Sequence, residues 1–292
     1  MACYHLIPAY KPKSGRLVFS GRPPANAEAL MVPCGQCIGC RLEYSRQWAI
    51  RCEHEAFMYE KNCFLTLTYA PEHLPENSTL VKEHVTKFLK RLRKMYGEGI
   101  RYFGCGEYGE KFARPHYHII LFNFDFEDKV LYKKSGDFSL YNSPSLSRLW
   151  SFGHAVVADF SFEVAAYVAR YVTKKVTGKK KDEHYQGRIQ EYSFMSRMPG
   201  LGTSFFYKYY DDIVNYDRVV IRNGRVCKPP KFYDKLLRGC DDELFQINRD
   251  KRIAKFGDID YIDDAQRYTA RERLTIIMLN QNMRKYENEC NQ

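Results

Sequence analysis

Pro115-His116-Tyr117-His118 opens an apolar run, Ile119-Ile120-Leu121-Phe122. Alternate residues of a strand share a face, so both imidazoles point the same way, with their backbones roughly 7 Å apart. Neutral imidazole nitrogens at that spacing can converge on one cation. A carboxylate would complete a site for Mg²⁺ or Mn²⁺. Glu107, at the end of the preceding strand, is the first choice, and Glu110, nearer the turn tip, is the alternative. Further along, Tyr167 and Tyr171 stand four residues apart, which places both on one helical face, separated by about 6 Å of rise. A phenol with a pKa of about 10 is a poor nucleophile. It can attack a phosphodiester where a metal polarises the phosphate. Lys174 or Lys175, one turn on, can neutralise phosphate or assist proton transfer, and Arg170 can position the strand. Taken singly, the histidine pair suits an unliganded sheet edge and the tyrosines suit ordinary helix packing.

Cys34-x2-Cys37-x2-Cys40 places three thiols within one short segment. Structural zinc takes four ligands, so a fourth must come from elsewhere: Cys3 first, with His5 or Cys52 behind it. An iron–sulfur loop would require a further cysteine just downstream, where Tyr44 stands. The alternative is a set of free, reduced thiols. A zinc knot here would pin the N-terminal arm.

These residues need a scaffold, and the periodicity supplies one. The first thirty residues, rich in Pro, Gly and Ala, read as loop, and Arg41 to Tyr59 reads as an amphipathic helix. Phe64 to Tyr69 is a β-prone run ended by Pro71. Val81, Val85, Phe88, Leu89, Leu92 and Met95 recur at helical spacing up to Gly97. Ile100 to Gly106 and His116 to Phe124 read as two strands joined by a turn. A polar, Tyr- and Ser-rich insertion follows, then a short strand, His154 to Phe160, and a helix, Phe162 to Val176. Glu191 to Arg197 is a possible fifth strand, and Asn223-Gly224 marks a hairpin turn. Ala265 to Glu289 reads as a charged helix. This order predicts an α+β fold, an antiparallel sheet backed by helices, with a Cys-rich N-terminal segment and a C-terminal extension. The boundaries expected are 1–60, 61–213 and 214–292.

Composition narrows the partner. The 292 residues carry a net charge of +11 and 15% aromatic residues, 23 of them tyrosine, which points to a polyanion. The densest basic clusters are Lys87 to Lys94, which suits the solvated face of a helix, and Lys174 to Lys181, which suits phosphate contact. Met1 to Tyr10 lacks the apolar run of a signal peptide. No stretch approaches the roughly 18 apolar residues of a membrane span. A reducing, intracellular setting is expected, where ten cysteines favour metal over disulfides.

The set as a whole resembles the HUH endonuclease superfamily, specifically its two-tyrosine replication initiators and, nearer still, those of gokushoviruses, small single-stranded DNA phages of the Microviridae. The resemblance rests on Pro33-Cys34-Gly35-Gln36-Cys37-Ile38-Gly39-Cys40-Arg41, Ser45-Arg46-Gln47-Trp48, the Phe64–Tyr69 strand, Gly106-Glu107-Tyr108-Gly109-Glu110, the histidine pair and the tyrosine helix. It covers roughly residues 33–175. It implies an RRM- or palm-like catalytic domain and rolling-circle replication. One tyrosine links to the 5′ end and leaves a 3′-OH for a host polymerase; the other cuts the regenerated origin, and the circle closes. Single-stranded DNA, the supercoiled origin of replicative-form DNA, a host helicase and polymerase, and the bacterial cytoplasm follow as expected partners and setting. A transposase or plasmid initiator of the same chemistry, and a non-catalytic zinc-stabilised nucleic-acid-binding protein, are the rival readings.

Overall fold

The computed structural model describes residues 3–19, 22–109, 112–135, 138–171, 181–256 and 265–290. The chain begins with strands β1 (Leu6–Lys11) and β2 (Glu28–Pro33), then helix α1 (Ile38–Ala56) and strand β3 (Asn62–Thr68). Helix α2 (Lys82–Tyr96) leads to β4 (Arg101–Tyr108), β5 (Pro115–Phe122), β6 (Val130–Ser135) and β7 (Phe138–Asn142). Helix α3 (Pro144–Leu149), β8 (Ala155–Asp159), α4 (Phe162–Tyr171), α5 (Lys181–Tyr185) and β9 (Tyr192–Met195) follow. The remainder is α6 (Thr203–Lys208), α7 (Tyr210–Tyr216), the strands β10 (Val219–Ile221) and β11 (Arg225–Cys227), α8 (Lys231–Cys240), α9 (Asp242–Phe256) and α10 (Ala265–Cys290).

Two compact units result: Met1–Tyr44 with Lys255–Gln292, and Ser45–Ala254. The second is built on a seven-stranded antiparallel sheet of order β6-β7-β8-β3-β5-β4-β9. Strand alternation sends the side chains of β3 and β5 to two different cores. Leu65, Leu67, Tyr117, Ile119 and Leu121 face one layer with Phe88 and Leu92 of α2 and with Trp150. Phe64, Ile120 and Phe122 face the other, with Ala49 and Cys52 of α1 and Ala165, Val168 and Ala169 of α4. Helix α2 forms because Val85, Phe88, Leu89 and Leu92 recur on one buried stripe, and it stops at Gly97, whose φ of 92° only glycine adopts easily.

Several expectations need correction. The first thirty residues are not all loop: β1 and β2 pair from Leu6↔Pro33 to Lys11↔Glu28. Their alternation is masked by Pro8 and by a partner far along the chain, so local pattern cannot show it. The polar insertion is structured as well, adding β6 and β7 to the sheet edge. It then forms α3, which starts where the Ser143 hydroxyl accepts the Leu146 N–H and Pro144 occupies the first turn. Beyond residue 180 the expected hairpin β10–β11 is accompanied by short helices α6 to α9, whose buried residues gather around Phe206 and Tyr233 in a third core. The continuation of α4 past Tyr171 lies outside the described residues. Among the described residues no helix is long and apolar enough to cross a membrane.

Candidate active site

The β3–β5–β4 ladder sets the geometry. Thr68 and Thr66 on β3 lie opposite His116 and His118, and on β4 Glu107 and Cys105 lie opposite the same pair. All six residues therefore face the α1/α4 side of the sheet. Glu107 Oε1 is 2.6 Å from His116 Nε2 and 3.1 Å from His118 Nε2. Glu107 and His118 are buried, whereas His116 is partly open to solvent.

The rings are oriented from behind. The Arg114 carbonyl can only accept, so His116 Nδ1–H donates to it at 3.1 Å, and the lone pair of the neutral ring falls on Nε2. His118 Nδ1 pairs with the Thr66 hydroxyl at 3.1 Å. Partners of this kind behind a ring are what metal-ligating histidines use to hold their tautomer. Two imidazole nitrogens and a carboxylate oxygen at these distances repel unless protons or a cation lie between them. Glu107 Oε2 is buried with no hydrogen-bond partner among the described residues. Burial opposes ionisation of Glu107, but the hydrogen bonds from His116 and then His118 outweigh it and hold the carboxyl below its usual range. The donor set, two imidazoles and a carboxylate, suits a divalent cation with positions left open. Glu110 lies outside the described residues.

Helix α4 brings Tyr167 to this cluster, its ring edge-on to His118 with centroids 5.5 Å apart. Tyr171 follows one turn later on the same helix. The Arg170 guanidinium bonds the Ala166 carbonyl at 3.4 Å. Lys174 and Lys175 lie outside the described residues. Beside the cluster, an open cleft of about 690 Å³ is lined by Thr68, Arg114 and His154 among others. Sequence reasoning missed Thr66 and the Arg114 carbonyl. The Thr66-x-Thr68 alternation on the neighbouring strand was the available signal.

The smaller unit holds the cysteines. Cys3 joins Cys34, Cys37 and Cys40 in one cluster. Cys3 Sγ is 3.8 Å from Cys34 Sγ and 3.9 Å from Cys37 Sγ, close to the tetrahedral edge of about 3.8 Å that zinc–sulfur bonds of about 2.3 Å impose. Backbone N–H groups of Tyr4, Cys34, Gln36 and Cys37 point at these sulfurs at 3.3 to 3.4 Å. Burial raises the Cys37 thiol, but donation from the Tyr4 and Cys40 backbones outweighs it and lowers it to about 7. The other two sequence candidates lie elsewhere: His5 bonds Glu272 at 2.6 Å, and Cys52 is packed in the core behind the sheet.

Fold and site together define an α+β protein whose sheet presents a His-x-His and carboxylate cluster to a tyrosine-bearing helix. The family model for the replication-associated protein ORF2 matches residues 62–176, the segment that holds every element of this cluster. Replication-associated protein ORF2 of Spiroplasma virus 4 is 36% identical over 229 residues, covering 73% of this chain and 70% of that protein. Replication-associated protein VP4 of Bdellovibrio phage phiMH2K is 32% identical, covering 80% and 76%. Replication-associated protein ORF4 of Chlamydia phage 1 is 33% identical, covering 71% of this chain and 53% of its own length. The chain belongs to this family of replication-associated proteins. No solved structure matches it.

Proposed function

We propose that this protein starts rolling-circle replication of a small single-stranded DNA phage, in the cytoplasm of its bacterial host, by cutting one DNA strand with a tyrosine. Its catalytic domain is 61–213, of the HUH type. The observation that carries this reading is the convergence of His116 and His118 on Glu107, with Tyr167 against His118.

Glu107, His116 and His118 would hold Mg²⁺ or Mn²⁺, which supplies Lewis-acid charge to the scissile phosphate. Tyr167 or Tyr171 attacks phosphorus through Oη, forming the 5′-phosphotyrosine bond while the bond to O3′ breaks. The phenolic proton is lost, and the departing oxygen ends as a 3′-OH. Lys174 is the proposed group for proton transfer, and Arg170 and Lys175 grip the backbone phosphates. The second tyrosine repeats the cut at the regenerated origin. The freed 3′-OH then attacks the first phosphotyrosine and closes the circle, so each bond broken is replaced by one of the same kind. Cys3, Cys34, Cys37 and Cys40 are proposed to hold structural Zn²⁺. A host helicase opens the duplex of the supercoiled origin and a host polymerase extends the 3′ end.

The test is a covalent adduct. Full-length protein is incubated with single-stranded origin oligonucleotides and Mn²⁺, denatured, and resolved by electrophoresis. A DNA-linked band, absent with EDTA, is expected, and peptide mapping should place it on Tyr167 or Tyr171. No adduct under any divalent metal would reduce the protein to a binder and overturn the proposal.

A further inference from the structure

A second site lies away from the histidine cluster, in the same compact unit. A cavity of about 590 Å³ opens between α1, the α6–α7 segment and β10, within the range of small-ligand pockets. Three aromatic residues line it: Phe57, Tyr209 and Tyr216, of which Phe57 is 63% and Tyr216 62% exposed. Large aromatic rings left this open at a cavity mouth are stacking platforms looking for a partner. Cations sit beside them. The Arg218 guanidinium lies 4.8 Å from the centre of the Tyr216 ring, and Arg222 also lines the cavity.

The wall carries one acid. Glu53 Oε1 accepts the Arg222 backbone N–H at 2.6 Å. Its Oε2 is buried with no hydrogen-bond partner among the described residues. Such an oxygen is costly to leave unsatisfied, and a donor entering the cavity would relieve it. Arg222 also reaches Glu163 of α4 at 3.9 Å. Glu163 is one helical turn before Tyr167, a rise of about 6 Å, so the cavity rim borders the tyrosine helix.

We infer that this cavity is a nucleobase subsite, which stacks an unpaired base on Phe57 and Tyr216 and reads its exocyclic amino group with Glu53. Aromatic faces, guanidinium groups for the flanking phosphates and a carboxylate acceptor are the three chemistries a single-stranded nucleotide requires. An apolar peptide would use the rings but would leave Glu53 and both arginines unanswered. Adenine and cytosine present an amino group and thymine presents a carbonyl at the equivalent position, so the pocket selects against thymine. The inference rests on the proposed action on single-stranded DNA.

Fluorescence anisotropy of the full chain with labelled oligo(dA), oligo(dC) and oligo(dT) of about twelve nucleotides, in EDTA so that no cutting occurs, tests it. The wild type should bind oligo(dA) or oligo(dC) about tenfold more tightly than oligo(dT), the worth of one hydrogen bond to a charged group. Glu53→Gln keeps the bond to Arg222 but turns the free end into a donor, so the preference should vanish or reverse. Phe57→Ala combined with Tyr216→Ala should weaken all three by about tenfold; both rings are exposed, and an unchanged melting temperature confirms folding. If the wild type binds with a preference that neither variant moves, the subsite is wrong and the proposed function stands. If the wild type binds none of the three, both fall.

Discussion

Glu107 lies directly across the β4–β5 ladder from His116, and its Oε1 is within hydrogen-bond reach of both His116 and His118. One carboxylate thus serves two imidazoles that alternate along a strand. The pairing register, not chain proximity, makes this a three-residue site.

Removing any one of the three should abolish adduct formation while leaving DNA binding within a few-fold. His116→Ala, His118→Ala and Glu107→Ala are each expected to cut at least about a hundred times more slowly, and EDTA should act likewise, reversibly. Glu110→Ala should be mild. Wild-type cutting by the double histidine variant would remove the metal assignment; a severe Glu110→Ala with a mild Glu107→Ala would exchange the carboxylates.

Phenylalanine keeps a tyrosine's ring and packing and removes only the nucleophile. Tyr167→Phe and Tyr171→Phe should each retain some cutting of a single-stranded origin oligonucleotide. Neither should release closed circles through repeated rounds, because termination needs the second hydroxyl. The double variant should fold, bind DNA and form no adduct. Tyr185 and Tyr192 are poor substitutes: Tyr185 is buried and bonded to Glu191, and burial raises the Tyr192 phenol in the core on the opposite side of the sheet. Full circle release by either single variant would mark a one-tyrosine enzyme.

Elemental analysis of protein purified without chelator should find about one zinc per chain. Cys3→Ser should lose it as completely as Cys34→Ser, Cys37→Ser or Cys40→Ser, with a fall in melting temperature. Zinc retained by Cys3→Ser would show that the fourth ligand lies elsewhere. The histidine cluster shares no residue with this one, so adduct formation by any folded remainder tests the two sites separately.

Stability should depend on pH through His54. Its Nε2–H donates to the Val220 carbonyl, its Nδ1 accepts from the Tyr233 hydroxyl, and its ring stacks on Phe205 at 3.8 Å. Burial lowers the imidazole from 6.5 to about 4. In the unfolded chain the ring takes a proton as pH falls below about 6.5, while the folded protein refuses it until about 4. The stabilisation is therefore full above the unfolded value and is lost progressively across that window, amounting to ~3 kcal/mol. Chemical denaturation at several pH values should show this slope in the wild type and a flatter one in His54→Gln. Equal slopes would refute it.

The sequence by itself determined what local backbone geometry determines. Period-two alternation put His116 and His118 on one face, period 3.6 put Val85, Phe88, Leu89 and Leu92 on one stripe, and a four-residue step aligned Tyr167 with Tyr171. Cysteine spacing grouped three thiols. Family likeness in the residues around these positions then joined separately ordinary patterns into one site.

What the tertiary structure decided was every partner that arrives from another element. Strand register chose Glu107 and Thr66 as neighbours of the histidines. The N-terminal arm delivered Cys3 to cysteines 31 to 37 residues away, with β1 and β2 pairing across a gap that no local pattern reveals. The cavity at Glu53 and Tyr216 joins α1 to a segment about 160 residues later. The reason is physical: a side chain's direction follows from its own φ and ψ, whereas its neighbour across a sheet or cavity depends on which distant apolar faces bury each other.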